Sequence, residues 1–483
     1  MSRPDAPVSL SRLWLGALLV GLILLPVYLA TMAPGLTWAH DGADGGDLAT
    51  AVVTGGIPHP PGFPTYLILG KLFLALPLLP SDPAWRLNLM SATMAVGAAV
   101  FVTMTATTTF RRSLPAVVAG LCLGLAPLFW SQALIAEVYT TAACFTALTL
   151  WLIRRNAPTW AVGLAWGLGL GVHPTLLFLL PLVTWAASGG RRSGDRRFLF
   201  HAGLWALATW GFLYGPVLWV RRNVPSPWGD LRTLSGWWAF VSGEMYRHYI
   251  FGLSLSAWPQ RVWAWIGLLV RQFTPPGALA MVSGWLHLWQ GQEEEEDRRG
   301  RLWAVASTVT WGAISLYALG YDTTDSLVYL LPALPLMALW LGSGWEQIVG
   351  WLGPHVPRAV GLLLLLLLPV LQAALFGPEM DLHEDRRAVV WAEWTLRQAP
   401  QEAVVLTDQD GHTFALWYLQ SALGQRPDVV VLDVDLWTQP HYRRMSCVRL
   451  GLSTLTDACN GVLSAEQAAI RAGRPVVWAH SDG

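Results

Sequence analysis

Lysine is nearly missing from this chain: Lys71 is the single one among 31 basic residues. Charge of either sign is scarce as well. Only 13% of the 483 residues are charged, about half the share found in soluble domains, which excludes an ordinary soluble fold. The formal net charge is 0, so no overall field attracts nucleic acid. The first apolar run, Leu13 to Met32, lacks a small-residue cleavage site before the next polar segment, and at about 20 residues it is long enough to span a bilayer, so a cleaved signal peptide is not expected. No convincing internal repeat is present, which argues against a transporter or lipid flippase. What is abundant is apolar: 54% hydrophobic residues, a mean hydropathy of +0.43 and 29 tryptophans, the residue that anchors helices at bilayer surfaces.

These features imply a polytopic α-helical membrane protein. Apolar runs near 13–32, 84–110, 114–133, 138–153, 159–172, 174–189, 198–220, 262–289, 302–320, 326–346 and 358–377 suggest about eleven transmembrane helices. Arginine clusters at Arg111–Arg112, Arg154–Arg155, Arg191–Arg192 with Arg196–Arg197, and Arg298–Arg299 with Arg301 fall at alternate ends of these runs. By the positive-inside rule those ends are cytoplasmic, which puts a first loop at 33–83 and everything after 378 outside. Arg221–Arg222 dissents by falling on the outer side. Residues 63–80 carry Lys71, Gly70 and Pro77 and are expected to lie in the outer interface rather than to cross. The acidic run at 293–301 reads as a solvated cytoplasmic loop.

The composition shifts after residue 378. A charged, amphipathic stretch to Arg397 leads to strand-like AVVL at 403–406, a turn DQDG at 408–411, a helix over 413–423 ending at Gly424, and further strands in VVVLDVD at 429–435 and PVVWA at 475–479. Alternation of strand and helix predicts a small parallel α/β domain over 379–483, following a membrane domain over 1–378. Cys447 and Cys459 fall in that outer domain, where oxidation persists, and are expected to form a disulfide. Cys122 and Cys144 fall in apolar runs, where a thiol behaves as a small apolar group.

The most specialised stretch is Trp38 to Tyr66, WAHDGADGGDLATAVVTGGIPHPPGFPTY. Polar, backbone-specialised sequence is costly beside a membrane unless it folds over a site. Asp41, Asp44 and Asp47 are spaced by three. Asp44 and Asp47 ahead of LATAVV and Gly55–Gly56 also fit a helix capping box with a glycine stop. Capping needs neither a third carboxylate nor the nearby His40 and His59, so a general base at the bilayer surface remains the competing reading. A metal bridging Asp41, Asp44 and Asp47 is a rival to it. His59, Pro60 and Phe63 each precede a proline, so Pro60, Pro61 and Gly62 stiffen the loop.

GADGGDL, IPHPPGFPTYLILGKLF and AWRLNLMSA resemble the first outer loop and second helix of the O-mannosyltransferase-like membrane proteins of the GT-C glycosyltransferase superfamily. The resemblance continues through SQALIAEVYT, GLGLGVHPTLLFLLP, PSPWGDLRTLSGWWAFVSGEMY, YDTTDSLVYLLPALP and WYLQSALGQRPDVVVLDVDL. It implies a GT-C-like enzyme moving a sugar, mannose in this reading, from a polyprenyl-phosphate donor to a Ser or Thr hydroxyl of a protein acceptor at the outer face. A lipid or cell-envelope glycan is the alternative acceptor. The resemblance aligns the family's aspartate with Asp44, making it the catalytic carboxylate, with Asp47, where the family has glutamate, as its partner. His59, Arg86, Glu137, His173, Arg221, Arg222 and Asp322 are expected to bind substrate or donor, the arginines by paired hydrogen bonds to phosphate. No cofactor is expected, a divalent metal being the unfavoured alternative.

Overall fold

The computed structural model describes residues 10–77, 82–187, 197–224, 226–290, 295–352, 357–452 and 459–479. The cluster Arg191–Arg192 with Arg196 and the start of the acidic run lie outside them. Each of the eleven apolar runs is largely helical. They correspond to α1 (Leu10–Thr31), α4 (Pro83–Thr107), the pair α5 (Ser113–Gly124) and α6 (Pro127–Ala133), α7 (Tyr139–Arg154), α8 (Thr159–Leu170), residues Pro174–Trp185 ending in α9 (Leu180–Trp185), α10 (Phe198–Phe212), α12 (Trp258–His287), α13 (Glu295–Gly320), Ser326–Ala333 with α14 (Leu334–Leu352), and α15 (Arg358–Met380). Helices are forced here, because only an internally hydrogen-bonded backbone is stable in hydrocarbon. Among the described residues, four helices are long and apolar enough to cross a membrane, and α5 with α6 would make a fifth crossing bent by 63°. Pro127 explains the bend: it opens α6 with no N–H to donate to the preceding turn. Pro275 and Pro276 break α12 in the same way, leaving Thr274 at φ 59°.

Between α1 and α4 the chain forms a 3₁₀ segment at Ala39–Asp44, then α2 (Gly45–Thr54) and α3 (Pro64–Leu74). Eleven residues of helix rise about 16 Å, roughly half a hydrocarbon core, so α3 is too short to cross. Asn88 of α4 holds the entry to this region, donating to the carbonyls of Ala33 and Gly35 at 3.0 and 2.9 Å.

After α15 come α16 (Arg387–Gln398), β1 (Val404–Thr407), α17 (Asp410–Trp417), β2 (Val430–Asp433), α18 (Pro440–Arg449), α19 (Ala465–Arg471) and β3 (Val476–Trp478), with α11 (Leu234–Val241) earlier in the chain between α10 and α12. The three strands pair in parallel in the order β2-β1-β3. β1 and β2 are buried throughout, as their unbroken apolar runs require. Cys447 and Cys459 form a disulfide, while Cys122 and Cys144 are buried thiols.

This α/β unit sits directly on the loop region. A Cβ at Gly46 would come within 2.4 Å of the Phe414 carbonyl oxygen, so α2 and α17 approach to a distance that only glycine allows. Trp38 donates to the Gly411 carbonyl at 2.9 Å and packs on Trp391 and His412, whose rings stack 4.1 Å apart. Tyr418 donates to Asp82 at 3.1 Å and accepts from the Ala84 amide.

Candidate active site

The loop builds its site from backbone geometry first. His40 and Asp41 take left-handed conformations (φ 57° and 61°), a turn tied down by the Gln132 side chain donating to the His40 carbonyl at 2.8 Å. The chain then enters α2 at Gly45, with Asp44 as the residue just before it. Asp44 has helical backbone angles and makes no capping hydrogen bond, so the capping-box reading fails while the glycine stop holds, Gly55 being left-handed at φ 75°. Its carboxylate is thereby left for other work.

Asp47, one turn further on, is buried and faces back into the loop. One of its oxygens accepts from the backbone N–H of His59 at 2.7 Å and from His59 Nδ1 at 2.9 Å. The other accepts from the Trp228 indole at 3.3 Å. With Nδ1 so engaged, His59 turns Nε2 toward Asp44 Oδ2 at 3.4 Å. Phe63 and Trp228 flank the ring, with centroids at 5.0 and 5.9 Å. The prolines and Gly62 set this presentation. Gly62 lies at φ 88°, and a Cβ there would strike Phe240 at 2.7 Å.

A cavity of about 460 Å³ opens over Asp44, within the usual size of a small-molecule site. Asp41, Asp44, His59, Pro60, Pro61 and His173 line it. His173 is fixed by Thr175 Oγ1 at 2.8 Å and lies parallel to Phe63. Burial in these walls raises the Asp44 carboxyl above the usual carboxylate range; Asp47 and Asp325 push the same way and His59 opposes. Burial would lower His59, but the charge of Asp44 and the hydrogen bond and charge of Asp47 outweigh it and raise the imidazole to about 9. At neutral pH His59 is therefore an imidazolium lying between the Asp44 and Asp47 side chains, with Asp44 facing open space.

Other residues singled out from the sequence lie elsewhere. Glu137 is 2% exposed behind the cavity, its carboxylate accepting from the Val138 amide. Arg86 sits between α3 and α4, donating to the Leu74 carbonyl. Asp322 is exposed and off the cavity wall. Arg221 donates to the Val217 carbonyl, and Arg222 donates to the Trp219 carbonyl while lying 4.0 Å over the Trp219 ring. Neither arginine lines the cavity. Asp47 is engaged by His59 and Trp228, and among the described residues no group of three His, Cys, Asp or Glu side chains is placed to hold a metal ion, Asp41, Asp44 and Asp47 included.

The cavity also holds groups that sequence reasoning missed. Asp325 lies three residues after Asp322 in the same motif. Asp410 opens α17, and burial followed by the charges of Asp44 and Asp433 raises it to about 6. Six of the chain's 11 tyrosines, Tyr139, Tyr246, Tyr249, Tyr317, Tyr321 and Tyr329, share this wall. The arrangement supplies a partly exposed, basic carboxylate, a charged group that orients it, and an aromatic surface suited to a sugar ring or lipid chain.

Residues 44–192 match the family described as the protein O-mannosyl-transferase TMEM260 N-terminal domain. The mouse protein O-mannosyl-transferase TMEM260 is 25% identical over 441 residues, covering 83% of this chain and 60% of the relative. Its Dictyostelium discoideum counterpart is 26% identical over 129 residues, 26% of this chain and 15% of the relative. The chain thus spans under two thirds of the length of either relative. ArnT from Cupriavidus metallidurans, in a structure bound to undecaprenyl phosphate, superposes with a TM-score of 0.53 at 15% identity over 88% of this chain and 90% of that one. The Archaeoglobus fulgidus oligosaccharyltransferase gives 0.51 at 13% identity over 86% and 63%. The chain is an integral membrane protein with the GT-C fold of these structures, and its residues 44–192 are similar to the N-terminal domain of the O-mannosyl-transferase TMEM260 proteins.

Proposed function

We propose that this protein is a glycosyltransferase that moves mannose from a polyprenyl-phosphate carrier to a Ser or Thr hydroxyl of a protein acceptor, at the extracytoplasmic face. The observation that carries the reading is the Asp44–His59–Asp47 unit at the floor of a cavity in a membrane protein. The names of the TMEM260 relatives support mannose and a protein acceptor, and the undecaprenyl phosphate held by ArnT supports the donor class. Orientation is supported by the arginine clusters: the amides of Arg111 and Arg112 bind Glu346 toward the end of the helical stretch from Ser326 to Leu352, whereas Asp325 and Tyr329, at its start, line the cavity.

In the mechanism, Asp44 takes the proton of the acceptor hydroxyl as its oxygen bonds to the anomeric carbon. The bond from that carbon to the carrier phosphate breaks on the opposite side, the electron pair leaving with the phosphate, and the sugar inverts. His59 keeps Asp44 aimed and ionised, and Asp47 with Trp228 keeps His59 in place. No step is given to a metal. The domain over 379–483 supplies part of the wall through Asp410 and Phe414.

The test is transfer by the purified full-length protein from polyprenyl-phosphate mannose to Ser/Thr peptides, read as a hexose mass increment. The wild type should transfer, and Asp44→Asn should lose at least about a hundredfold, the scale of a missing general base. Transfer only to a glycan or lipid hydroxyl would reassign the acceptor, and equal turnover by Asp44→Asn would remove the base.

A further inference from the structure

A second cavity, of about 380 Å³, lies between residues 222–232 and the outer face of α18, and it shares no lining residue with the first. Arg222, Arg232, Arg444 and His441 surround it, with one carboxylate, Asp230. That carboxylate is already used, since Asp230 accepts from Arg232 Nε at 2.7 Å, Nη2 at 3.0 Å and the backbone amide at 3.1 Å. Arg222 has a carbonyl and an indole face for partners, neither of which neutralises it. Arg444 is exposed and makes no hydrogen bond or ion pair among the described residues. Two guanidiniums facing one space without a counter-charge repel, and a tetrahedral oxyanion relieves this while matching their planar fork of donors. Val448 of the lining is 65% exposed, and the chain on either side of residues 222–232 carries the exposed Trp219, Val220 and Leu234, at 50%, 71% and 81%. Tryptophan and arginine side by side on such a rim are characteristic of a bilayer surface.

We propose that this cavity binds a phosphate group, presented as the headgroup of an anionic lipid or as free phosphate. Arg222 lines this cavity and not the one over Asp44. Occupancy bears on the catalytic unit through a short path: His441 Nε2 donates to the Ser226 carbonyl at 3.0 Å, Ser226 Oγ accepts from the Trp228 amide at 3.2 Å, and the Trp228 indole reaches Asp47.

Binding can be read without any sugar donor, so the result is independent of glycosyl transfer. The full-length protein in nanodiscs containing phosphatidylcholine with phosphatidylglycerol is analysed by native mass spectrometry, beside Arg444→Gln and Arg222→Gln/Arg444→Gln. The wild type should retain phosphatidylglycerol over phosphatidylcholine, and each substitution should reduce retention about tenfold or more, as expected for a lost charged hydrogen bond. Displacement by inorganic phosphate identifies the headgroup as the bound part. A thermal shift of delipidated wild type with inorganic phosphate, absent in Arg444→Gln and without lipid retention, identifies free phosphate. Arg444 is exposed on a helix face, so its single variant should fold. Equal lipid retention and equal phosphate shifts in wild type and Arg444→Gln would overturn the proposal.

Discussion

Replacing His59 with glutamine tests the catalytic unit most directly. Glutamine has nearly the same length and can still donate to Asp47, but it carries no charge. In the wild type His59 Nε2 lies 3.4 Å from Asp44 Oδ2. At that distance a unit charge pair is worth about 1.2 kcal/mol at the dielectric of water and about 5 kcal/mol at an effective dielectric of 20. The Asp44 side chain is 34% exposed, which places the effect near the lower bound, about one pH unit. The imidazolium favours ionised Asp44, so its loss raises the Asp44 pKa. Because the base acts deprotonated, the acid limb of kcat/KM should move up by about one pH unit. Stability gives a second readout. His59 is raised from 6.5 to about 9, so its contribution is fully present below pH 6.5 and disappears as pH rises through 9. For a side chain 13% exposed this amounts to about 3 kcal/mol. Wild-type thermal inactivation should therefore accelerate between pH 7 and pH 10, while that of His59→Gln changes little. The assay is mannosyl transfer to a peptide across pH 4.5–9.5 with parallel melting curves. An active variant whose acid limb coincides with that of the wild type would refute the clamp.

Four further outcomes are expected. Asp44→Asn should fold and keep its melting midpoint while losing at least about a hundredfold in kcat; comparable loss of folded protein would assign Asp44 a structural role. Asp410 is raised to about 6, so its ionisation opposes folding above that pH, and Asp410→Asn should raise the melting midpoint at pH 7.5 with little change at pH 4. Gly46→Ala places a methyl group against the Phe414 carbonyl and should cost about 1–3 kcal/mol, seen as faster proteolysis within 379–483. On intact cells an impermeant maleimide should label Val462→Cys, which is 71% exposed in the native residue, and spare Asn156→Cys beside Arg154–Arg155; the reverse pattern would invert the topology.

Much of this was legible in the residues because membrane helices and catalytic loops obey local rules. The eleven apolar runs announce helices by composition, and β1, β2 and β3 by short apolar runs bounded by turn residues. Asp44, Asp47 and His59 sit within 16 positions of one another, so one loop could be read as one site. Groups that meet only through tertiary packing were hidden. Asp325 was passed over for Asp322, since which carboxylate of YDTTD faces inward depends on the turn after α13. Asp410 looked like turn chemistry, although its turn is the start of a helix pressed on α2. Arg221 and Arg222 suggest a phosphate beside the acidic loop because they defy the charge rule, yet Arg222 lines a separate cavity and neither arginine lines the one over Asp44.

The contact of Gly46 with Phe414 also bears on how the protein comes into being. The two residues are separated by most of the chain, and at about 5–20 residues per second the ribosome needs on the order of 20–70 s to travel from one to the other. Throughout that interval the acidic loop is already synthesised and lacks the part of its wall that α17 supplies. Under the proposed function the site is therefore incomplete until α17 packs on α2, since Asp410 and Phe414 of that helix line its cavity.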